Sequence, residues 1–210
     1  MKYIVILIIL ILLLIFINYK NTEFFNNKQK SLIKNTNYIF IHIPKNAGTS
    51  FSKKYCGNEV GHRNANSYDI KELKKSVAII RNPYDRLKSC YKYFKMDNNY
   101  WSKQYGNPKY HDYCKKNTFK QFVEDLHSNK ISGDIHLHPQ VSFLKKNGVI
   151  YTKVIKLENI NEDFKKIFNK DIDLPLINKS KHIDIKIDTE TKNKIYDIYK
   201  EDFDLLGYNK

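Results

Sequence analysis

The hydrophobic and polar positions divide the chain into an apolar N-terminal run, a polar stretch and a long alternating region. Residues 3–17 are all apolar (YIVILIILILLLIFI), and residues 19–37 are polar and lack a period. From residue 38 onward, short apolar runs alternate with segments whose apolar residues follow the helical period. This alternation predicts an α/β fold with a parallel sheet.

The apolar run predicts an uncleaved transmembrane signal anchor at residues 1–18, followed by a stem at residues 19–37. As a helix the run is about 22 Å long, which is short for a bilayer core of about 30 Å. Tyr19 and the flanking lysines extend such a span by snorkelling. A cleaved signal peptide is the alternative, but no small-residue cleavage pattern follows the run.

Two arguments about the orientation of this anchor lead to opposite predictions. More lysines follow the run than precede it, which by the positive-inside rule leaves the domain in the cytoplasm. Single N-terminal anchors ahead of enzymatic domains commonly export the domain. We expect a single-pass type II arrangement with the domain facing the lumen of the Golgi or secretory pathway.

The alternating region predicts a single domain at residues 38–210. Two buried strands are expected at residues 38–43 (YIFIHI) and 77–80, and one or two more in "VIYTKVIKLENI". Helices are expected after a cap at Thr49 or Ser50, over residues 84–95, from Thr118, in "NEDFKKIFNK" and from Thr189. The predicted fold is a P-loop-like parallel sheet flanked by helices, with an N-terminal transmembrane helix.

The charge of the chain is strongly positive, at +15 with 37 Lys and Arg against 22 Asp and Glu. These basic residues are scattered and form no single stripe, so we do not predict a nucleic-acid partner. Only three of them are arginines: Arg63, Arg81 and Arg86. In a chain this rich in lysine, an arginine marks a position where a planar, bidentate group is needed.

Two strand ends carry residues suited to binding anions. The first strand runs into Lys45 and the backbone N–H groups of residues 46–50, and the second runs into Arg81, with Ser89 on the following helix. Parallel strands place these corners at one edge of the sheet. The pair therefore predicts binding of a nucleotide that is phosphorylated at both ends.

A nucleoside triphosphate fits the first corner poorly. The Walker pattern places its lysine after the second glycine, whereas Lys45 precedes Gly48 here. No acidic residue that would hold a metal clearly ends a strand. We therefore predict neither a triphosphate nor a metal ion.

These motifs resemble those of a known family. "FIHIPKNAGTSF" and "IIRNPYDRLKSCYKYF" are similar to the two nucleotide-binding signatures of Golgi-type carbohydrate sulfotransferases, including the heparan sulfate 2-O- and 6-O- and the chondroitin sulfotransferases. "HPQVSFL", "VIKLENINEDF", "INKSKH" and "YKEDFDLLGY" follow the order of weaker family blocks. The resemblance implies the donor 3′-phosphoadenosine-5′-phosphosulfate, no metal and a carbohydrate acceptor.

The resemblance also implies roles for single residues. Lys45 matches the lysine that contacts the 5′-phosphosulfate, and Arg81 with Ser89 matches the pair that binds the 3′-phosphate. His62, in "EVGHRNA", matches a histidine that acts as base, so Lys45 and His62 are the expected catalytic residues. The rest of the expected donor loop is Asn46, Ala47, Gly48, Thr49 and Ser50.

Other residues and functions stay open at this stage. His136 and His138 make a weak metal site without a third ligand, and His138 with Gln140 is expected to shape the pocket. Glu158 is expected to be structural. The three cysteines leave a Cys90–Cys114 bridge and buried thiols as equal alternatives. A P-loop-type kinase or a non-catalytic membrane-anchored glycan-binding protein is the alternative function, and tyrosine, lipid or small-molecule hydroxyls are alternative acceptors.

Overall fold

The computed structural model describes residues 2–97, 106, 108–174 and 184–210. Within these residues the strands are β1 (Ile39–Ile41), β2 (Ser76–Ile80), β3 (Lys145–Lys146), β4 (Val149–Ile150) and β5 (Lys153–Lys156). β1, β2 and β5 form a parallel sheet in the order β1-β2-β5. Every residue of β2 is buried, as a central strand covered on both faces requires. The predicted α/β fold with a parallel sheet is confirmed.

A short hairpin, which the sequence pattern did not predict, precedes β5. β3 and β4 pair antiparallel around Asn147 and Gly148, which both have positive φ. This Asn-Gly pair suits a tight two-residue turn, because both central residues of a type I′ turn need positive φ.

Helices flank the sheet and occupy most of the remaining chain. In the described residues they are α1 (Lys2–Ser31), α2 (Gly48–Phe51), α3 (Ile70–Leu73), α4 (Pro83–Lys95), α5 (His111–Lys116), α6 (Phe119–His127), α7 (Val141–Leu144), α8 (Ile160–Phe168), α9 (Thr189–Ile198) and α10 (Lys200–Leu206). α2 continues directly into a π-helical turn, Ser52–Cys56. Local capping explains several starts: Thr118 accepts a hydrogen bond at the start of α6, and Asn82 does so before Pro83 in α4.

Alternate residues of the strands build two separate cores. Ile41 and Ile80 face one cluster, while Phe40 and Ile79 face the other. This is the period of two that a pleated strand imposes on its side chains. A third cluster, rich in aromatic residues, joins α4, α6 and α9. The sheet is therefore covered on both faces, and its carboxyl-terminal edge is where the loops gather.

The N-terminal segment forms the long helix α1, and residues 5–17 on it are between 44% and 60% exposed. In the part of the chain that the structure describes, no helix is both long and apolar enough to cross a membrane. The predicted transmembrane helix is therefore not supported: the apolar run is shorter than a bilayer core, and the second half of α1 is polar. The C-terminal end of the predicted stem packs on the domain, since Ile33 is 2% exposed and Leu32 bridges to Ile39.

Candidate functional site

The carboxyl ends of β1 and β2 lead into two turns that meet at one edge of the sheet. The first turn, residues 44–47, enters α2, and the second, residues 81–82, enters α4. The Arg81 Nη1 donates a hydrogen bond of 3.4 Å to the carbonyl of Lys45. The structure thus brings the two predicted anion-binding corners next to each other.

The first turn has an unusual backbone. Lys45 (φ 69°) and Ala47 (φ 60°) are both left-handed, which is uncommon for residues with a side chain. Asn46 between them is fully buried, and its Nδ2 donates to the Ile79 carbonyl at 2.9 Å and to Gln140 Oε1 at 2.7 Å. The Asn46 Oδ1 is buried and has no hydrogen-bond partner among the described residues. The buried amide therefore fixes the turn to the end of β2.

Gly48 is required because the turn passes close to the ring of His42. A Cβ at Gly48 would lie 2.0 Å from the Cδ2 and 2.3 Å from the Nε2 of His42. The expected cap at Thr49 or Ser50 is wrong: α2 begins at Gly48, and Ala47 precedes it without a side-chain cap. Within the described part of the chain, the first N–H groups of α2 therefore have no side-chain cap, as an anion site needs.

Gln140 holds the two turns together. It is 0% exposed; besides binding Asn46, its Oε1 accepts from the Arg81 N–H at 2.9 Å and its Nε2 donates to the Arg81 carbonyl at 2.8 Å. The buried Asp202 carboxylate accepts from the backbone N–H groups of Gln140 and Val141, both at 2.9 Å. The sequence placed Gln140 at the pocket but did not indicate this bridging role.

Arg86 stabilises the edge of the site from behind. It is 2% exposed, and its Nε, Nη1 and Nη2 donate to the carbonyls of Pro44, His138 and His136 at 3.1, 2.8 and 3.1 Å. The planar fork expected of an arginine here is used on the protein's own backbone. His138 itself is exposed and contributes its carbonyl to this network.

Lys45 and Arg81 are positive groups without acidic partners. Neither forms an ion pair with a carboxylate among the described residues, although most lysines with a defined contact do. Ser89 lies half-buried on α4, and its hydroxyl makes no hydrogen bond within the described part of the chain. These three groups are therefore available to a bound anion.

Lys45 also lies against an aromatic ring. Its Nζ is 4.1 Å from the centroid of the Tyr93 ring. The pKa of Lys45 is lowered to about 8, mainly by burial; the Cys90 thiol opposes this change, and the charges of Arg81 and Arg86 contribute to it. A dianion placed here would stabilise the ammonium form.

His62 lies in the loop after the π-helical turn, as predicted, and it is half-buried. Its Nδ1 donates to the His42 carbonyl at 3.0 Å, so the lone pair of the neutral ring is on Nε2. The pKa of His62 is lowered to about 4, mainly by burial; the hydrogen bond to His42 opposes this change, and the charges of His136, Lys45 and Arg86 contribute to it. The ring is neutral at physiological pH and can accept a proton at Nε2.

His42, directly after β1, is a buried core residue. Its Nδ1 donates to the Val60 carbonyl at 2.5 Å, and its ring centroid is 4.2 Å from that of His62. Burial, followed by the charge of His62, lowers the pKa of His42 to about 3, so the ring stays neutral.

The sequence analysis missed His136, which it weighed only as a metal ligand. The His136 ring packs 4.8 Å from Tyr93 and 5.8 Å from His62, measured between ring centroids. Its Nδ1 donates to Asp134 Oδ1 at 2.8 Å. The "DIH" spacing was the available signal, because a turn that begins with an aspartate can hold a histidine two residues later.

The remaining predicted groups have structural roles. Glu158 accepts a hydrogen bond from the Asn82 N–H at 2.6 Å and from the Tyr208 hydroxyl at 3.1 Å, as a structural residue would. Cys56, Cys90 and Cys114 are buried free thiols. Within the described ranges no three His, Cys, Asp or Glu side chains gather as metal ligands. The "INKSKH" segment lies outside the described residues.

Comparison with known proteins gives one match. The family profile described as "Sulfotransferase family" matches residues 28–209. No curated protein and no solved structure matches the chain. The matched range contains both corners, His62, the Gln140 bridge and the Asp134–His136 pair.

Proposed function

Because the chain belongs to the sulfotransferase family, we propose that it moves the sulfuryl group of 3′-phosphoadenosine-5′-phosphosulfate to an acceptor hydroxyl, with a carbohydrate as the acceptor. The observation that carries the proposal is the pair of cations, Lys45 and Arg81, at the meeting point of two adjacent turns. A donor with phosphate at both ends of its nucleoside needs two positive sites. The family match favours this function over the kinase and glycan-binding alternatives.

The proposed donor site fits the residues present. The Lys45 ammonium and the free N–H groups at the start of α2 suit the 5′-phosphosulfate, with Asn46, Ala47, Gly48, Thr49 and Ser50 forming the loop around it. Arg81 and Ser89 suit the 3′-phosphate, since a guanidinium binds phosphate with two parallel hydrogen bonds. Neither Lys45 nor Arg81 has a carboxylate partner among the described residues. This matters because an acidic side chain beside either cation would compete with the ligand.

The chemistry is an in-line displacement at sulfur. The bond from the acceptor oxygen to sulfur forms while the bond from sulfur to the bridging phosphate oxygen breaks, and adenosine 3′,5′-bisphosphate leaves. Lys45 stabilises the charge that develops on the bridging oxygen. His62 takes the hydroxyl proton at Nε2, the nitrogen that its hydrogen bond to the His42 carbonyl leaves unprotonated.

The experiment that tests this function is calorimetry without magnesium. We expect the domain to bind adenosine 3′,5′-bisphosphate far more tightly than AMP or ATP. Arg81→Ala should weaken this binding by roughly ten- to a hundredfold, and Arg81→Lys should repair it only in part, because a lysine cannot form the bidentate contact.

Arg63→Ala is the matched control, because it removes an arginine outside the two corners. Its affinity for the bisphosphate should equal that of the wild type. Equal affinities for AMP and the bisphosphate would contradict the assignment of the 3′-phosphate site. The domain boundary at residue 38 stays a prediction. A Golgi location facing the lumen also stays a prediction, to be checked by imaging the tagged full chain.

A further inference from the structure

His136 and Asp134 form a hydrogen-bonded pair at the edge of the site. Asp134 Oδ1 accepts from the His136 Nδ1 at 2.8 Å and from the His136 backbone N–H at 2.9 Å. The two side chains are only 19% and 14% exposed. This double contact fixes the orientation of the imidazole and leaves its Nε2 unprotonated in the neutral ring.

His136 and His62 differ in the partner of their Nδ1 atoms: a carboxylate for His136 and a backbone carbonyl for His62. The Asp134 carboxylate is ionised: burial opposes the charge, but the hydrogen bonds from His136 outweigh it and lower the pKa of Asp134. Among the described residues, the hydrogen-bond partner of the His62 ring is a backbone carbonyl, that of His42. An imidazolium next to a carboxylate is stabilised, whereas one beside a carbonyl and nearby cations is not.

Other charged and titratable groups also face the pair. The α4 helix contributes the Tyr93 ring, and the Arg86 Nη2 binds the His136 carbonyl at 3.1 Å. Lys109 adds a positive charge on the Asp134 side, and His62 faces the ring from its loop. The Asp134 carboxylate is the group in direct contact with the imidazole, so its charge has the largest effect on that ring.

Resting on the sulfuryl transfer proposed above, we propose that His136, held by Asp134, is the second proton-transfer residue of this site. The acceptor hydroxyl gives its proton to His62 Nε2, and the proton passes to His136 Nε2. The imidazolium of His136 is then stabilised by the Asp134 carboxylate and returns its proton to solvent after the bisphosphate leaves. A base as weak as His62 is thereby kept neutral for the next turnover.

The first test is NMR of ¹⁵N-histidine-labelled protein with bound adenosine 3′,5′-bisphosphate. We expect the Nδ1 of His136 to carry a proton that is hydrogen-bonded to Asp134, as the Nδ1 of His62 does toward the His42 carbonyl. Asp134→Ala, which removes the acceptor, should change the ¹⁵N shifts of His136 and leave those of His62 unchanged. A His136 whose proton lies on Nε2, or ¹⁵N shifts that do not respond to Asp134→Ala, would overturn the proposal.

The second test is turnover with the labelled donor on two probes, N-sulfated heparosan and unsulfated chondroitin. His136→Ala and Asp134→Asn should each lower the rate at saturating substrates by roughly ten- to a hundredfold, with unchanged affinity for the bisphosphate. The acid limb of the rate profile should move to lower pH in Asp134→Asn. The contacts of His136 with Arg86 and Cys90 use its backbone carbonyl, so they survive the side-chain change.

The control is Asp112→Asn, which removes a carboxylate beside a histidine away from the site. On α5, the Nδ1 of the buried His111 lies 3.0 Å from Asp112 Oδ1, and its Nε2 lies 3.0 Å from Asp97 Oδ1. This variant should keep the wild-type rate and pH profile. Wild-type turnover in His136→Ala would overturn the relay. A wild-type domain that binds the bisphosphate but sulfates neither probe would contradict the proposed acceptor class, while the NMR result still tests the contact of His136 with Asp134.

Discussion

The Lys45 ammonium lies on the Tyr93 ring and is repelled by the charges of Arg81 and Arg86, and no carboxylate among the described residues balances its charge. At the residue scale, this is a cation that the fold destabilises and that a bound anion would stabilise. This destabilisation suits a transferase, because the positive charge of Lys45 is stabilised most when the bridging oxygen of the donor becomes negative. Burial likewise lowers the pKa values of His62 and His42, so both rings stay neutral beside Lys45.

The lowered pKa of Lys45 gives a pH dependence with a definite sign. Below pH 8 the free protein carries the ammonium; above it, the lysine is neutral and must take up a proton to bind the anion. The dissociation constant for adenosine 3′,5′-bisphosphate should therefore rise between pH 7.5 and 9.5, approaching tenfold per pH unit. Calorimetry in buffers of different ionisation enthalpy should show proton uptake on binding.

Lys45→Arg is the control for this effect, because a guanidinium stays protonated across the range. Its binding should be weaker at pH 7.5 but should lose the dependence between pH 7.5 and 9.5. Identical pH profiles for the variant and the wild type would show that another group controls the affinity.

At the scale of elements, the start of α2 is shaped by the residue that follows β1. Gly48 can sit where it does only because it lacks a Cβ, and the obstacle is the His42 ring. The helix start and the strand end are thus fitted to each other by one contact between backbone and side chain.

Gly48→Ala should destabilise the domain by about 1–3 kcal/mol, because the added methyl group overlaps the His42 ring. The double variant His42→Ala, Gly48→Ala should recover part of that loss, which gives a coupling energy of about 0.5–3 kcal/mol in a double-mutant cycle from urea unfolding. Gly61→Ala, where no atom lies within 4 Å of the added Cβ, is the control. Additive effects of the two changes would contradict a direct clash.

The helices and strands also show how much of the fold could be predicted from the sequence. The strands at residues 38–43 and 77–80 and the helices over 84–95 and from Thr118 were predictable, because burial period and capping residues are local signals. The hydrogen bonds of Gln140 were not, since they join positions 94 and 59 residues apart. His136 was missed for the same reason: its partners Tyr93 and His62 become neighbours only in the folded chain.

At the scale of the whole molecule, the site depends on a residue near the C-terminal end. Asp202 on α10 binds the backbone at Gln140, and Gln140 binds the turns after β1 and β2. The buried Gln140 side chain and backbone thus connect three parts of the chain: α10, the turn after β1 and the turn after β2. The proposed anion site is therefore a property of the complete fold and not of either signature alone.

Gln140→Ala tests this dependence. The change leaves the Asn46 Nδ2 with one of its two acceptors and removes the side-chain partner of both the Arg81 N–H and its carbonyl, so the free energy of unfolding should fall by about 2–4 kcal/mol. Affinity for adenosine 3′,5′-bisphosphate should fall with it, because the two turns lose their common bridge.

Asp202→Ala should act through the same bridge, so the double variant should lose less stability than the sum of the single changes. Ser142→Ala, at an exposed neighbour whose hydroxyl donates to the Pro139 carbonyl, should leave both quantities nearly unchanged. If Gln140→Ala binds the bisphosphate as tightly as the wild type does, the two corners are held in register by other contacts, with the three carbonyl bonds of Arg86 as the next to be tested.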